Sequence, residues 1–204
     1  MRASTPPVPP SALRHPRTKP LSRITAAWYS HNAALYDRMV THGLLRLATS
    51  GGGRETIVDL ARTVPLDMVP LLDVPTGTGE YLPFLPRPAV GADLAAGMLR
   101  EAGARAPGAP LIRADVFFLP FRTAAFGSVF TSLGLHLLPR PREAAREMAR
   151  VLRPGGQLIG AVPIGMFSRF LTTSNLQRAL EVPELRIVRI ERRGWLATFA
   201  AEKV

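Results

Sequence analysis

Beyond Pro65 the chain alternates short, continuous apolar runs with segments whose apolar residues recur at helical spacing. Strands that are covered by helices on both faces read as continuous apolar runs, because neither face meets water. Helical periodicity at 95–104 and 142–152 predicts crossover helices between several of the strands. Together these patterns indicate a parallel sheet. The five predicted strands are residues 71–74, 89–92, 111–114, 129–132 and 157–162.

The end of the chain follows a different pattern. Residues 185–190 and 196–202 read as two strands joined by a short polar turn that ends at Gly194, which predicts an antiparallel hairpin at one edge of the sheet. The predicted fold is therefore α/β, a doubly wound, mostly parallel seven-stranded sheet with an antiparallel C-terminal hairpin.

The N-terminal part is organised separately. Residues 1–23 contain six prolines and five positively charged side chains, and no acidic residue precedes Asp37. Such a segment buries too little apolar surface to order itself, so we predict a flexible basic tail. Helical spacing resumes after this tail, and a short helical pattern covers 55–62. We therefore predict three regions: the tail, a helical cap at 24–64, and the core at 65–204.

Composition narrows the class of protein. The 204 residues include no cysteine, which excludes disulfides, thiolate metal sites and thiol nucleophiles. The longest stretches without a charged residue, at 123–139 and 154–168, are shorter than the roughly 20 apolar residues that a membrane-spanning helix needs. The N-terminus also lacks the apolar block of a secretory signal. These observations predict a cytoplasmic protein without a membrane span.

The net charge of +11 raises the question of a nucleic-acid partner. All but two of the 26 basic residues are arginine, a bias typical of a GC-rich genome, and they are scattered rather than gathered on one periodic face. The pattern therefore favours a solvated basic surface over a nucleic-acid partner. An RNA-modifying enzyme remains an alternative because of the basic tail.

The first predicted strand runs into a glycine loop, in the string LLDVPTGTGE that begins at Leu71. Glycine has no Cβ, so this Gly-x-Gly lets a ligand approach the bare backbone. A dinucleotide-binding loop would carry a third glycine where this chain has Leu82. The carboxylate of Asp73 just before the loop suits a cationic ligand better than a pyrophosphate.

Two further acids end the next two predicted strands. Asp93 follows Asp73 by 20 residues, and a carboxylate there can accept hydrogen bonds from both hydroxyls of a ribose. Asp115 ends the third strand, within reach of an adenine amino group. Each acid alone could cap a loop or a helix. The combination of three acids at three successive strand ends, with a glycine loop between the first two, favours a nucleoside-binding site.

Taken together, the strings over residues 70–162 resemble the class I S-adenosylmethionine-dependent methyltransferases. The closing string LRPGG, which begins at Leu152, and the upstream ALYD, which begins at Ala34, resemble the small-molecule subgroup that includes quinone-biosynthesis methyltransferases. The resemblance implies a Rossmann-like fold, S-adenosyl-L-methionine as cofactor and methyl transfer to a small-molecule acceptor. The resemblance implies that Asp73, Gly77 and Gly79 hold the methionine part, Asp93 the ribose, and Asp115 the adenine, with Met98 beside the adenine. The predicted cofactor-binding set also includes Pro75, Leu94 and Val116.

The chain also departs from the family pattern. Pro75 stands where the first loop glycine is usual, which removes one backbone N–H. Gly127 stands where the family often has aspartate, and the proline-rich segment after Gly79 leaves room only for a short first crossover helix. These departures leave open a non-catalytic S-adenosylmethionine-binding or scaffolding protein. A nicotinamide dehydrogenase is a further alternative, disfavoured by the missing third glycine.

Three residues are candidates for contact with the acceptor. His136 follows the fourth strand at the ligand-binding edge of the sheet and is the candidate general base, with a packing histidine as the alternative. Tyr29 and Tyr36 are candidate substrate or lid residues, with an anchoring role in the N-terminal helix as the alternative. No spacing predicts a metal site. The oligomeric state is left open, a homodimer included.

Overall fold

The computed structural model describes residues 31–32, 53–165, 168, 170 and 172–204. The predicted basic tail, most of the predicted cap, and the candidate residues Tyr29 and Tyr36 lie outside the described residues. The division into three regions therefore stays a prediction.

The described core alternates strands with helices, as the sequence pattern predicts. The strands are β1 Leu71–Asp73, β2 Ala89–Asp93, β3 Leu111–Arg113, β4 Phe126–Ser132, β5 Leu152–Pro163, β6 Leu185–Arg193 and β7 Leu196–Lys203. The α-helices are α1 Gly53–Arg62, α2 Ala96–Arg105, α3 Pro141–Val151 and α4 Thr173–Leu180. The sequence patterns had not predicted α4, whose N-cap Thr172 shares a capping box with Asn175.

One seven-stranded sheet has the order β3-β2-β1-β4-β5-β7-β6. The pairs among β1 to β5 are parallel, and β7 pairs antiparallel with both β5 and β6. The predicted fold class is therefore confirmed. Because the strand order reverses between β1 and β4, the carboxyl ends of these two strands flank the crevice where open α/β sheets bind ligands.

Each face of the sheet has its own hydrophobic core, which explains the continuous apolar runs. Neighbouring residues along a strand belong to opposite cores: Leu71 lies in one and Leu72 in the other, and the same holds for Phe130 and Val129. All four side chains are fully buried. Both faces are thus covered, as expected of a parallel sheet.

The connection from β1 to β2 is even shorter than the predicted short crossover helix. It contains only a 3-10 turn, Leu82–Phe84, and the described residues between β1 and β2 include no α-helix. Pro83 lies within this turn and Pro86 and Pro88 follow it, so the chain cannot continue with helical hydrogen bonding. Leu82, which replaces the third glycine of a dinucleotide loop, is fully buried in the same hydrophobic core as Leu71.

Gly127 lies at the start of β4, the edge opposite to the crevice. A Cβ at this position would overlap the backbone of Met68, and the Gly127 N–H donates to the carbonyl of Pro70. Glycine is therefore required here by close packing. The glycine that replaces the family's aspartate therefore lies away from the ligand-binding edge.

Strand β5 begins earlier than predicted, directly where α3 ends. Its pairing with β4 shifts register between Phe126 and Ser128, and Gly155 adopts a φ of +73° within the shifted segment. The turn predicted from the LRPGG string is therefore an irregularity within the strand. At the C-terminal end, β6 and β7 form the predicted hairpin, with a turn at Gly194 and Trp195. No helix in the described part of the chain is long and apolar enough to cross a membrane.

Candidate functional site

Three buried carboxylates lie along one edge of the sheet. Asp73 and Asp93 are the last residues of the neighbouring strands β1 and β2, and Asp115 follows β3, the next strand. Parallel strands present their carboxyl ends at the same edge, so the predicted placement of the three acids is confirmed. Their exposures are 2%, 8% and 9%. A buried carboxylate is unfavourable unless hydrogen bonds or nearby positive charges compensate for its lost hydration.

Asp93 joins the glycine loop to the start of α2. Its Oδ2 accepts a hydrogen bond from the Gly77 N–H at 2.9 Å, and its Oδ1 accepts one from the Ala95 N–H at 2.8 Å. The N-cap residue of α2 is Ala95 and not Asp93. Burial raises the pKa of Asp93, while the N–H groups of Ala95 and Gly77 act in the opposite direction. Each carboxylate oxygen retains lone-pair capacity for a further donor.

Asp73 is only half satisfied. Its Oδ2 accepts a hydrogen bond from Thr76 Oγ1 at 2.5 Å, whereas its buried Oδ1 has no hydrogen-bond partner among the described residues. Burial raises the pKa of Asp73 from 3.8 to about 7; the Thr76 bond opposes the shift, and the nearby charge of Asp93 adds to it. The site therefore holds an acceptor atom that a cationic or N–H-bearing ligand would satisfy.

The two glycines of the loop have different surroundings. Gly77 has a φ of +56°, and a Cβ built on it meets nothing within 4 Å. Gly79 has a φ of +73°, and a Cβ there would lie 2.8 Å from Ala102 of α2. The loop thus packs tightly against α2 at Gly79 and borders open space at Gly77.

We expect Gly79→Ala to lower the free energy of unfolding by about 3 kcal/mol, because it adds overpacking against Ala102 to the strain of a left-handed backbone. Gly77→Ala is the matched control and should lower it by only about 1 kcal/mol, since it meets the backbone strain alone. Urea unfolding of both variants measures the difference. Equal losses would contradict the packing described here.

An ion-pair cluster that the sequence patterns did not indicate fixes the far end of the loop. The buried carboxylate of Glu80 contacts Arg54 Nε at 2.5 Å and Arg105 Nη1 at 3.1 Å. The same Arg105 nitrogen donates to Thr78 Oγ1 at 2.8 Å and to the Thr78 carbonyl at 3.2 Å. Arg105 ends α2 and Arg54 lies in α1, so two helices hold the loop. The only sequence signal was an acid directly after the Gly-x-Gly.

Asp115 forms a tight turn after β3. Its Oδ1 accepts from the Phe117 N–H at 3.0 Å, and its carbonyl accepts from the Phe118 N–H at 2.9 Å. Val116 and Phe117 are buried. The guanidinium of Arg140 lies 4.5 Å from the centre of the Phe117 ring.

The remaining candidates lie where β2 leads into α2. Met98 is buried in the first turns of α2, and Leu94 is half-buried, with its carbonyl accepting from Arg113 Nε at 3.0 Å. The structure therefore places Leu94 next to Asp93 and Met98 one helical turn further along the chain.

Pro75 connects the glycine loop to the segment after β4. A Cβ at Gly134 would overlap the ring of Pro75, so these two residues are in close contact. The preceding Leu133 has a φ of +52°, which is uncommon for leucine. Backbone conformations of this kind cluster at functional sites. This segment leads directly into the 3-10 turn that carries His136.

His136 is half-buried, and its Nδ1 is enclosed without a hydrogen-bond partner among the described residues. Burial lowers the pKa of His136 from 6.5 to about 4, so the ring is neutral near pH 7. A neutral imidazole can accept a proton or a hydrogen bond. Among the described residues, no group of three or more histidine, aspartate or glutamate side chains is placed to hold a metal ion.

Comparison with known proteins agrees with this geometry. The methyltransferase domain family matches residues 72–160. A demethylmenaquinone methyltransferase from Renibacterium salmoninarum is 35% identical over 162 residues, which cover 76% of this chain and 66% of that protein. A protein of the same name from Paenarthrobacter aurescens is 33% identical over 161 residues, which cover 76% of this chain and 62% of that protein.

The chain belongs to the class I S-adenosylmethionine-dependent methyltransferases. The fold of this methyltransferase is also that of an S-adenosylmethionine-dependent methyltransferase from Thermotoga maritima, with a TM-score of 0.67, 15% identity, and coverage of 86% of this chain and 98% of that one. At that identity the likeness concerns the fold alone. The chain spans 66% and 62% of the lengths of the two curated relatives.

The residues of this methyltransferase fit the donor that its family implies. S-adenosylmethionine carries an ammonium group and two ribose hydroxyls, which donate hydrogen bonds to carboxylates, and a sulfonium, whose positive charge a carboxylate attracts. The site offers the unpartnered Oδ1 of Asp73 and open space beside the bare backbone of Gly77. A pyrophosphate would favour the N-terminus of an α-helix after the glycine loop, and the described residues between β1 and β2 form no α-helix. The donor set therefore suits a cationic nucleoside better than a dinucleotide.

Proposed function

We propose that this protein transfers a methyl group from S-adenosylmethionine to a small aromatic acceptor of the hydroquinone type. The proposal depends mainly on one observation, the row of three buried acids at the ends of β1, β2 and β3 with the glycine loop bound to the middle one. This arrangement favours a cationic nucleoside over the pyrophosphate of a nicotinamide cofactor.

Each end of the donor has its own residues in this proposal. Asp93 accepts hydrogen bonds from the ribose hydroxyls, and the turn of Asp115 and Val116 holds the adenine. Leu94 and Met98 border the nucleoside. The methionine part lies along Gly77 and Gly79, where Asp73 Oδ1 accepts a hydrogen bond from the ammonium group. Pro75 contributes shape and no N–H, so the loop provides one backbone donor fewer.

The bound donor supplies an activated methyl carbon on a positively charged sulfur. The contribution of the chain is to hold the acceptor atom in line with that carbon and to exclude water. Effective molarities for such alignment reach the order of 10⁵ M or more, so positioning alone accounts for much of the acceleration. Pro75 of the glycine loop contacts Gly134 of the segment that leads to His136, and this contact supports an arrangement in which donor and acceptor lie side by side.

The acceptor class is inferred from the relatives, which are named demethylmenaquinone methyltransferases. A reduced quinone has an electron-rich ring carbon next to a hydroxyl. That carbon forms the new bond to the methyl group while the carbon–sulfur bond breaks, and the ring then loses a proton. Because its pKa is lowered to about 4, neutral His136 is a weak base, but it can accept a hydrogen bond from the hydroxyl and so raise the electron density of the ring.

We expect His136→Ala to lower kcat by about ten- to a hundredfold, because one hydrogen-bond acceptor for the substrate hydroxyl is lost. The dissociation constant for S-adenosylhomocysteine should not change, since the histidine faces the acceptor. Leu137→Ala, at the exposed neighbouring position, serves as the control for the fold of the turn. Steady-state kinetics and calorimetric titration measure the two quantities. An unchanged kcat would remove His136 from the reaction and leave it a packing residue.

The activity itself is tested by incubating the purified protein with S-adenosylmethionine and a short-chain demethylmenaquinol, and by detecting the methylated product by mass spectrometry. The proposal expects product that depends on both reactants and is inhibited by S-adenosylhomocysteine. Tight donor binding without turnover on any of a panel of phenols, hydroquinones and amines would instead favour a non-catalytic binding protein.

A further inference from the structure

A second ion-pair network lies outside the row of acids and contacts the loop that follows Asp115. It is built from two residues one helical turn apart on α3, Glu147 and Arg150. Arg150 donates to Glu147 through Nε at 2.8 Å and through Nη2 at 2.7 Å, which is the bidentate arrangement of a strong pair. The Glu147 side chain is 17% exposed and that of Arg150 34% exposed.

The pair also binds the backbone of the loop on both sides of Pro120. Glu147 Oε1 accepts from the Leu119 N–H at 2.8 Å. Arg150 donates to the Leu119 carbonyl at 3.0 Å and to the Phe121 carbonyl at 2.9 Å. Three backbone groups of a loop that has no regular structure of its own are thereby satisfied by one helix. Such bonds to charged groups are stronger than those between neutral partners.

The location of these bonds gives them a function beyond stability. The turn that begins at Asp115 closes at Phe118, so Leu119 is the first residue after it. On the other side the turn is attached to β3, which has only three residues, none of them buried, and lies at the edge of the sheet. A short edge strand constrains its neighbours weakly. The network on α3 therefore gives the turn a second attachment, made of hydrogen bonds to charged side chains, on the side away from β3.

We propose that Glu147 and Arg150 are positioning residues for the adenine half of the donor site, acting through the loop at Leu119. The inference rests on the proposed function, because it assumes that Asp115 and Val116 border the adenine. The other half of the site has its own support, since Arg105 binds Thr78 and Glu80 at the far end of the glycine loop. The two ends of the donor are thus held by separate networks.

The test compares two ligands that share the adenosine part and differ in the amino-acid part. S-adenosylhomocysteine has both parts, and 5′-methylthioadenosine lacks the amino acid. Arg150→Met should weaken both ligands by the same factor, about tenfold, because the variant alters only the adenine end. Arg105→Met should weaken S-adenosylhomocysteine and leave 5′-methylthioadenosine unchanged. Arg146→Met, on the exposed side of α3, should change neither.

Base discrimination separates a positioning role from a merely structural one. The wild-type protein should prefer 5′-methylthioadenosine to its inosine counterpart, in which a carbonyl replaces the amino group of the base. Arg150→Met should reduce that preference, whereas loss of stability alone would weaken both ligands equally. Arg150→Lys provides the milder variant if the methionine variant does not fold. It keeps the charge but cannot make all the bonds of the guanidinium, and it should show the same effects to a smaller degree.

The outcomes are distinguishable. A wild-type protein that binds neither ligand would overturn the proposed function. A wild-type protein that binds both, together with Arg150 variants that retain full affinity and full base preference, would overturn this inference alone. An Arg150 variant that loses affinity for S-adenosylhomocysteine but not for 5′-methylthioadenosine would also overturn it, because the effect would then lie at the amino-acid end.

Discussion

Asp93→Ala is expected to weaken the binding of S-adenosylhomocysteine at least about a hundredfold. The proposed hydrogen bonds from two ribose hydroxyls to a carboxylate are each worth about 1.5–3 kcal/mol, and the substitution removes both. It also removes the acceptor that holds the Gly77 N–H, so the glycine loop loses its connection to the start of α2. Isothermal titration calorimetry measures the change directly.

Two matched variants make the Asp93 result specific. Asp93→Asn keeps the shape and one carbonyl oxygen, so its loss should be smaller than that of alanine. Asp59→Ala removes an exposed carboxylate on α1 and should leave the affinity unchanged. Unchanged affinity in Asp93→Ala would refute the assignment of this side chain to the donor, and with it the placement of the ribose at β2.

Acidification is expected to weaken donor binding through Asp73. Because burial raises the pKa of Asp73 to about 7, the carboxylate is ionised at pH 8 and mostly protonated at pH 6. A protonated Asp73 lacks the charge that the proposed ammonium contact uses. Affinity for S-adenosylhomocysteine should therefore fall by up to about tenfold per pH unit below 7. The Asp73→Asn variant should bind weakly with little pH dependence in this range.

The same group has the opposite effect on the unliganded protein. The folded-state pKa of Asp73 lies above its ordinary 3.8, so its contribution to stability is fully present below that value and is lost as the pH rises through 7. Asp73→Asn should therefore raise the melting temperature more at pH 8 than at pH 5, and should have little effect only near or below pH 3.8. The contribution of His136 has the other sign, since its pKa is lowered to about 4 and its stabilisation is lost as the pH falls from 6.5 towards that value.

Comparing wild type with Asp73→Asn at each pH cancels the histidine contribution, because both proteins contain His136. A melting difference that does not grow between pH 5 and pH 8 would contradict the raised pKa of Asp73. Binding of the donor that is independent of pH over the same range would contradict the ammonium contact, even if the melting difference behaves as expected.

The parts of the site that the sequence predicts are those with a local or periodic signal. Asp73 and Asp93 each end a continuous apolar run, and the runs themselves identify a doubly covered parallel sheet. Because parallel strands bring their carboxyl ends to one edge, adjacency in space follows from position in the pattern. The hairpin of β6 and β7 was predictable for a similar reason, since its two strands are neighbours in the chain.

The parts that escaped prediction depend on partners far apart in the chain. Glu80 meets Arg54 and Arg105 across 26 and 25 residues, and Arg150 meets the Leu119 carbonyl across 31. In a sequence, an arginine that faces solvent cannot be distinguished from one that bonds to a loop, and arginine is abundant in this chain. The prolines after Gly79 predict a short first crossover helix, but the sequence does not show that only the single 3-10 turn Leu82–Phe84 forms.

The residues of the glycine loop already make hydrogen bonds in the absence of a ligand. Thr76 bonds to Asp73, Gly77 to Asp93, and Thr78 to Arg105. When a nucleoside binds, little of the loop has to be ordered, so the loss of conformational entropy on binding is small. Association is then limited by orientation of the encounter rather than by rearrangement of the loop, and differences in affinity among donor analogues should reside in their dissociation rates.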